Sequence, residues 1–205
     1  NNTSRPPFTP VYEILFRLRN GKITQQQADE QINALRQIDL REQMNRYQYQ
    51  SGLLQQYSIN LSGGSDRYNW IASVGYDQNR DELDASLKRL TTRLFNQWSI
   101  SKKLQLDASI TFTQNMTKSG KYDFTDLISY NGSDPYPYLQ LADLNGYALP
   151  YYKTYRQPYI DTAGGGLLKD WKFYPKTDHK YSTYNTTLNH LLLNTGLKWQ
   201  ITKGL

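Results

Sequence analysis

The chain has 205 residues, room for one domain, with 38% hydrophobic and 14% aromatic residues and a mean hydropathy of −0.77. Its longest aliphatic run, Leu191 to Leu193, excludes a transmembrane helix, which needs roughly 20 apolar residues; a β-barrel escapes that test because only alternate residues meet lipid. The net charge of +6 comes from 24 Lys and Arg spread among 18 acids, a solvated surface rather than a nucleic-acid footprint, and the lack of Cys removes disulfides, thiolate metal sites and a Cys nucleophile.

No basic n-region followed by an apolar h-region opens the sequence, so either a signal peptide has been removed or this is an internal piece of a longer chain, and the internal piece is the favoured expectation. Residues 1–10, NNTSRPPFTP, read as loop, and Val11 to Leu18 as a short helical turn closed by Gly21. The one convincing helix is predicted over about 24–39. Thr24 is its N-cap, Gln27 the capping-box partner, and Ala28, Ile32, Leu35 and Ile38 its narrow apolar stripe. A polar run follows to Gln50.

Strands are predicted over about 55–62, 68–77, 89–100, 104–114 and 187–201, each with apolar residues at every second position. Tyr57, Ile59 and Leu61 oppose Gln56, Ser58 and Asn60; a turn at Gly63 to Arg67 leads into Tyr68, Trp70, Ala72, Val74 and Tyr76. Residues 78–86 read as a charged loop. The hairpin Leu90 to Thr113 has the clearest alternation, broken by Phe95 in the polar phase and Asn96 in the apolar one. The last strand carries Leu191, Leu193, Leu197, Trp199 and Ile201, and its ending, Trp199-Gln-Ile201-Thr-Lys203, echoes Trp98-Ser-Ile100-Ser-Lys102. Residues 115–186 form a long connection rich in Tyr, Pro, Gly and Asp.

Short turns at Gly63 to Arg67, Ser101 to Lys103 and Thr202 to Gly204 alternate with longer loops at Asp77 to Lys88, Met116 to Tyr184 and the region before Gln55. Outer-membrane barrels have that asymmetry, with tight periplasmic turns and extended extracellular loops. The expected fold is therefore all-β, a segment of a large antiparallel transmembrane barrel with long extracellular loops and one short surface helix. Residues 1–54 would be an extracellular loop region and 55–205 the barrel part, with 115–186 as its long extracellular loop. Five strands cannot close such a barrel, which takes at least about 8. The apolar face is expected to meet lipid, and Arg89, Arg93, Gln97, Gln105, Asp107 and Thr111 the lumen.

The chain resembles the SusC/RagA-type TonB-dependent outer-membrane transporters. The resemblance is carried by Asn20-Gly-Lys-Ile-Thr24 leading into the Gln-rich helix with Ala28 and Asp39, and by the stretch QQYSINLSGGSDRYNWIASVGYDQN. Lys88-Arg89-Leu90 to Arg93, the turn into Leu104, PYPYLQLADLNGYALP, Leu168-Lys-Asp170-Trp171 and Pro175 extend it. It spans nearly the whole chain, and the order of the motifs supplies its specificity. It implies a barrel of about 22 strands, an N-terminal plug, a TonB-contact segment and a SusD-like surface lipoprotein over the barrel mouth. Plug and TonB box have no counterpart in this sequence.

Catalytic chemistry does not assemble. His179 and His190 have no acid at triad or metal spacing, and Ser99-Ile-Ser-Lys102 matches S-x-x-K but falls in a hairpin turn. Asp143-Leu-Asn145-Gly146 resembles the start of a calcium loop without its closing carboxylate and reads as a turn. Gly164-Gly165-Gly166 lacks the Lys-Ser or Lys-Thr of a phosphate cradle. No enzyme activity, cofactor or metal is expected. The candidate contact residues are the aromatics of the long loop, Tyr136, Tyr138, Tyr151, Tyr152, Tyr155, Tyr159, Trp171 and Tyr174, whose rings could stack on a substrate or lid protein while their polar atoms hydrogen-bond; packing the loop onto its neighbours is the reading preferred for them. The expected function is part of an outer-membrane importer of nutrient oligomers, oligosaccharide or peptide, working with a SusD-like lipoprotein and with TonB through parts outside this chain. The alternative is a non-transporting barrel or a β-sandwich that binds glycan or a partner protein.

Overall fold

In the computed structural model, residues 7–129, 132–169, 171–182 and 184–202 are described. The chain divides into two compact units: Ser51–Ser119 with Tyr184–Leu205, and Asn1–Gln50 with Gly120–Thr183. Residues 120–183 thus group with the N-terminal helices rather than with the strands.

The first unit is one antiparallel sheet in the order β1-β2-β3-β4-β5, with β1 Leu53–Ser65, β2 Tyr68–Arg80, β3 Ser86–Ser101, β4 Leu104–Lys118 and β5 Asn185–Trp199. The sheet is open, with β1 and β5 at its edges. Its strands are 13 to 16 residues long, against about 5 or 6 in ordinary soluble sheets. Two-residue turns at Asp66-Arg67 and Lys102-Lys103 join strands at one end. At the other end, Asp81–Ala85 joins β2 to β3, closed by the Asp81 carboxylate accepting from the backbone N–H of Leu83 at 2.9 Å and Ala85 at 2.8 Å.

Two expectations change here. The loop between β2 and β3 is five residues rather than the span Asp77 to Lys88, so the contrast in loop length rests mainly on the β4–β5 connection. Gly63 and Gly64 belong to β1 and pair with Trp70 and Asn69 instead of forming the turn. A Cβ on Gly63 would lie 2.9 Å from the Trp70 indole nitrogen, so the glycine leaves space for the ring. The predicted turn at Thr202 to Gly204 falls largely outside the described residues.

Cross-strand partners share a face in an antiparallel sheet, so the register assigns every strand residue. One face carries Leu61, Ala72, Leu94, Ile110 and Leu193 at one level and Ile59, Val74, Thr92, Phe112 and Leu191 at the next. Asn96 sits on this face without conflict, because the Tyr68 hydroxyl donates to its side-chain oxygen at 2.6 Å beside the stacked rings of Tyr68 and Trp98. The opposite face carries Gln56, Ser58, Asn60, Asn69, Ser73, Asp77, Thr113 and Asn194, with Phe95 level with Ile71 as an apolar pair inside it. No strand residue is buried.

The apolar band also slides. Its run is centred on Ile59 in β1, Ala72 in β2, Ala108 in β4 and Thr195 in β5; Ile59 is level with Phe112 of β4, whereas Thr195 is level with Ala108. Crossing the sheet thus moves the band by about one residue per strand. With a rise of about 3.4 Å per residue and strands about 4.8 Å apart, strands crossing a level band at this rate tilt by roughly 35°.

The second unit contains the buried apolar residues. Three helices, α1 Pro10–Arg19, α2 Gln25–Leu35 and α3 Leu40–Tyr47, precede the sheet, and α4 Gln157–Thr162 lies in the long connection. The expected single helix is therefore replaced by several, and the one predicted over 24–39 stops at Leu35. The capping box forms as the sequence indicates: the Thr24 hydroxyl accepts from Gln27 N–H at 3.2 Å, and the Gln27 side chain accepts from Thr24 N–H at 2.9 Å. Asp39 caps a new helix by accepting from Arg41 N–H at 2.8 Å. Only Leu40 and Met44 of α3 are buried, and they pack with Leu127, Leu139, Leu141 and Tyr151. That packing makes the 120–183 segment a folded body with a core instead of a bare loop.

Candidate functional site

A cleft of the helical unit begins with α1. Thr9 and Pro10 start this helix, whose spacing places Glu13, Phe16 and Arg17 within one turn of each other. Gly21, at φ +64°, reverses the chain into α2, and Arg17 donates to the Gln31 side-chain oxygen at 2.7 Å. Opposite, Arg156 immediately precedes α4 and sends a bidentate pair of hydrogen bonds to the Glu13 carboxylate, each 2.8 Å. Its guanidinium lies 4.0 Å from the centre of the Phe8 ring and 4.7 Å from that of Phe16. The Glu13 carboxylate raises the Arg156 pKa further, although partial burial opposes it, so the arginine stays charged. Helices α1 and α2 and residues 150–162 thereby enclose a cleft of about 1190 Å³.

The eight candidate aromatics fall into separate groups. Tyr136, Tyr138 and Tyr151 cluster, with ring centres 4.8 Å apart for the first pair and 5.9 Å for Tyr136 and Tyr151. Burial pushes the Tyr151 phenol up to about 12, and burial, reinforced by the neighbouring tyrosines, pushes Tyr136 higher still. Both side chains therefore stay neutral and pack. Tyr155, Tyr159 and Trp171 form a second cluster with centres 5.4 to 6.0 Å apart, and the Trp171 indole donates to the Ile160 carbonyl at 3.4 Å. Tyr136, Tyr152 and Tyr159 reach the cleft wall. Tyr174 sits elsewhere, its N–H held by the Asp178 carboxylate at 2.8 Å.

The six polar residues singled out in the central hairpin share one face of the sheet. Arg89 meets Asp77 at 2.6 Å, and the Asp107 carboxylate accepts from Gln97 at 3.1 Å and Gln105 at 3.2 Å. Arg93 and Thr111 are direct cross-strand partners. The face is thus a hydrogen-bonded polar surface.

The remaining motifs resolve as local structure. The Asp143 carboxylate accepts from the N–H groups of Asn145 at 2.9 Å and Tyr147 at 2.8 Å, making the predicted turn, with Gly146 at φ +85°. Gly164 and Gly165 take positive φ in a bend. His179 lies edge-on to Tyr122 at 6.4 Å, and His190 stands in β5 on the polar face. Among the described residues no three His, Cys, Asp or Glu side chains gather as metal ligands. The cleft residues Phe8, Glu13, Phe16 and Arg156 were not legible as a group, since Glu13 and Arg156 are 143 positions apart and neither belongs to a motif. Comparison of the chain with protein-family models and with curated proteins finds no match.

Proposed function

We propose that the chain supplies part of the wall and an extracellular loop body of a TonB-dependent outer-membrane importer of the SusC/RagA type, which admits nutrient oligomers beneath a SusD-like lipoprotein. The observation that carries this reading is the sliding apolar band. A band that shifts by one residue per strand is what tilted strands need in order to hold a level girdle in a bilayer, and outer-membrane barrels tilt by about 35–45°. In β2, β4 and β5 the band advances eight residues, from Tyr68 to Tyr76, from Leu104 to Phe112 and from Leu191 to Trp199. That is about 27 Å along the strand and about 20 Å across a membrane at such a tilt, and rings at the ends extend it toward the roughly 25 Å typical of these barrels. Tyr68, Trp70, Trp98 and Trp199 mark the end with the two-residue turns, Tyr57 and Tyr76 the other.

The exposure of both faces supports the same reading. Ile59, Leu193 and Leu197 are 64 to 66% exposed, and a soluble sandwich would cover such a face with a second layer. In this reading Arg89, Arg93, Gln97, Gln105, Asp107 and Thr111 line the lumen. Extraction of the whole protein from its host tests the proposal. It should stay with outer membranes until detergent is added, and it should migrate differently on gels before and after boiling. Recovery of the intact protein from the soluble fraction without detergent would instead favour the sandwich alternative.

A further inference from the structure

The two ends of the sheet differ in charge. Beyond the level that joins Ser65, Tyr68, Trp98, Leu106 and Leu197, the described residues carry Arg67, Lys102, Lys103 and Lys198 against the single carboxylate of Asp66. Beyond the level of Tyr57, Tyr76, Leu90 and Gln114 at the other end, residues 77–89 and 115–118 carry four acids and four cations. There Arg89 meets Asp77 at 2.6 Å and Arg80 meets Asp84 at 3.8 Å. At the end with the two-residue turns, none of the four cations has an ion-pair partner among the described residues. Lys198 belongs to the polar face; the other three stand in the turns and are exposed.

Backbone bonds hold these turns in place. Ser99 N–H donates to the Arg67 carbonyl at 2.8 Å, tying the β1–β2 turn to β3, and Gln200 N–H donates to the Lys103 carbonyl at 2.8 Å, tying the β3–β4 turn to the end of β5. Arg67 is adjacent to Tyr68, and Lys103 to Leu104, which is level with Trp199, so each cation stands about 3.4 Å along the strand from an aromatic level. Three of the chain's four tryptophans, Trp70, Trp98 and Trp199, lie at this end. Indole N–H, ammonium and guanidinium groups donate hydrogen bonds and accept none. The rim thus combines unneutralised positive charge and donors with amphipathic rings at the edge of the apolar band.

An anion presented at the boundary of an apolar layer fits that combination. A free anion would meet the charges and leave the rings and the band uncovered. An anionic phospholipid meets both, its phosphate accepting from the turn cations while its acyl chains continue along the band. We infer that the rim formed by Arg67, Lys102 and Lys103 beside the tryptophans binds anionic phospholipid headgroups in preference to zwitterionic ones, whose own ammonium group offsets the phosphate. The inference rests on the membrane reading above and adds a lipid selectivity confined to one end. With tight turns on the periplasmic side of such barrels, the leaflet concerned is the one facing the periplasm.

The test uses the whole protein purified in detergent and equilibrated with equal amounts of phosphatidylglycerol and phosphatidylcholine of the same acyl chains, with native mass spectrometry to count which lipids stay bound. An R67Q/K102Q/K103Q variant should retain about fivefold less phosphatidylglycerol relative to phosphatidylcholine than the unaltered protein, one cation's worth near an anionic surface. R67Q alone and K102Q/K103Q should each show a smaller drop, which keeps the test in place if the triple variant does not fold. K88Q/K118Q removes two cations of the opposite end from the apolar face. It should leave the ratio unchanged, because the two ends lie more than a Debye length of about 10 Å apart. Equal retention of the two lipids by the unaltered protein, an unchanged ratio in the rim variants, or an equal drop in K88Q/K118Q would each overturn the assignment. A heat-modifiable barrel without the preference sinks the rim assignment alone, whereas recovery of the intact protein without detergent sinks the membrane reading itself.

Discussion

Arg156 shows how much a single side chain can organise when its contacts come from distant parts of the chain. Its planar fork matches the Glu13 carboxylate while its faces lie against Phe8 and Phe16, an arrangement that Lys cannot reproduce. Both side chains of the pair are about one-fifth exposed, so screening is partial. Arg156→Gln should weaken the attachment of residues 150–162 to α1 by about 2 kcal/mol, read as faster hydrogen exchange in both segments; unchanged exchange would reduce the pair to an incidental contact. Tyr151 carries a pH dependence. Its folded pKa of about 12 lies above the ordinary 10, so its contribution to stability is complete below pH 10 and is lost as pH rises toward 12, where the unfolded chain ionises first. Tyr151→Phe should remove one late-titrating phenol from the tyrosinate absorbance curve and flatten the alkaline loss of stability.

At the scale of elements, alternation and capping signals were informative and long-range packing was not. The Thr24–Gln27 box predicts the start of α2 to the residue, because both partners lie within one turn. Helix α3 was not expected, because its octapeptide LREQMNRY shows only Leu40, Met44 and Tyr47 as hydrophobic residues, and the burial of the first two depends on Leu127, Leu139 and Leu141 almost a hundred positions away. Gly63 illustrates the opposite error. Gly-Gly is turn chemistry in isolation, whereas here the neighbouring strand's Trp70 needs the missing side chain. Gly63→Val should push that ring aside and loosen the β1–β2 end, detected as accelerated trypsin cleavage at Arg67; unaltered cleavage would mean the strands absorb the side chain.

For the whole molecule the decisive matter is which medium each face of the sheet meets. Leu192 and Leu193 are adjacent, chemically identical and directed to opposite faces, Leu193 level with Ile110 and Leu192 with Thr111. Under the proposed membrane reading Leu193→Arg places a charge near the middle of the apolar band, at a cost of about 2–4 kcal/mol, while Leu192→Arg joins a polar surface that already holds Arg93 and Asp107. The first substitution should sharply lower the amount of folded, heat-modifiable protein in the outer membrane and the second should leave it nearly unchanged. Equal effects would argue that the two faces share one environment.

The sequence by itself determined the strand-rich class, the side on which each strand residue falls and the cap that begins α2, because these follow from a period of 2 residues and from contacts within one turn. It also placed Arg89, Arg93, Gln97, Gln105, Asp107 and Thr111 together, since alternation alone puts them on a common face. Only the tertiary structure decided that residues 120–183 fold with the N-terminal helices, that Asn96 is satisfied by Tyr68, that the eight loop aromatics split into separate clusters, and that Glu13 and Arg156 close a cleft. The Tyr68–Asn96 and Glu13–Arg156 contacts join side chains 28 and 143 positions apart, the aromatic clusters join rings up to 16 positions apart, and no local period encodes such pairings.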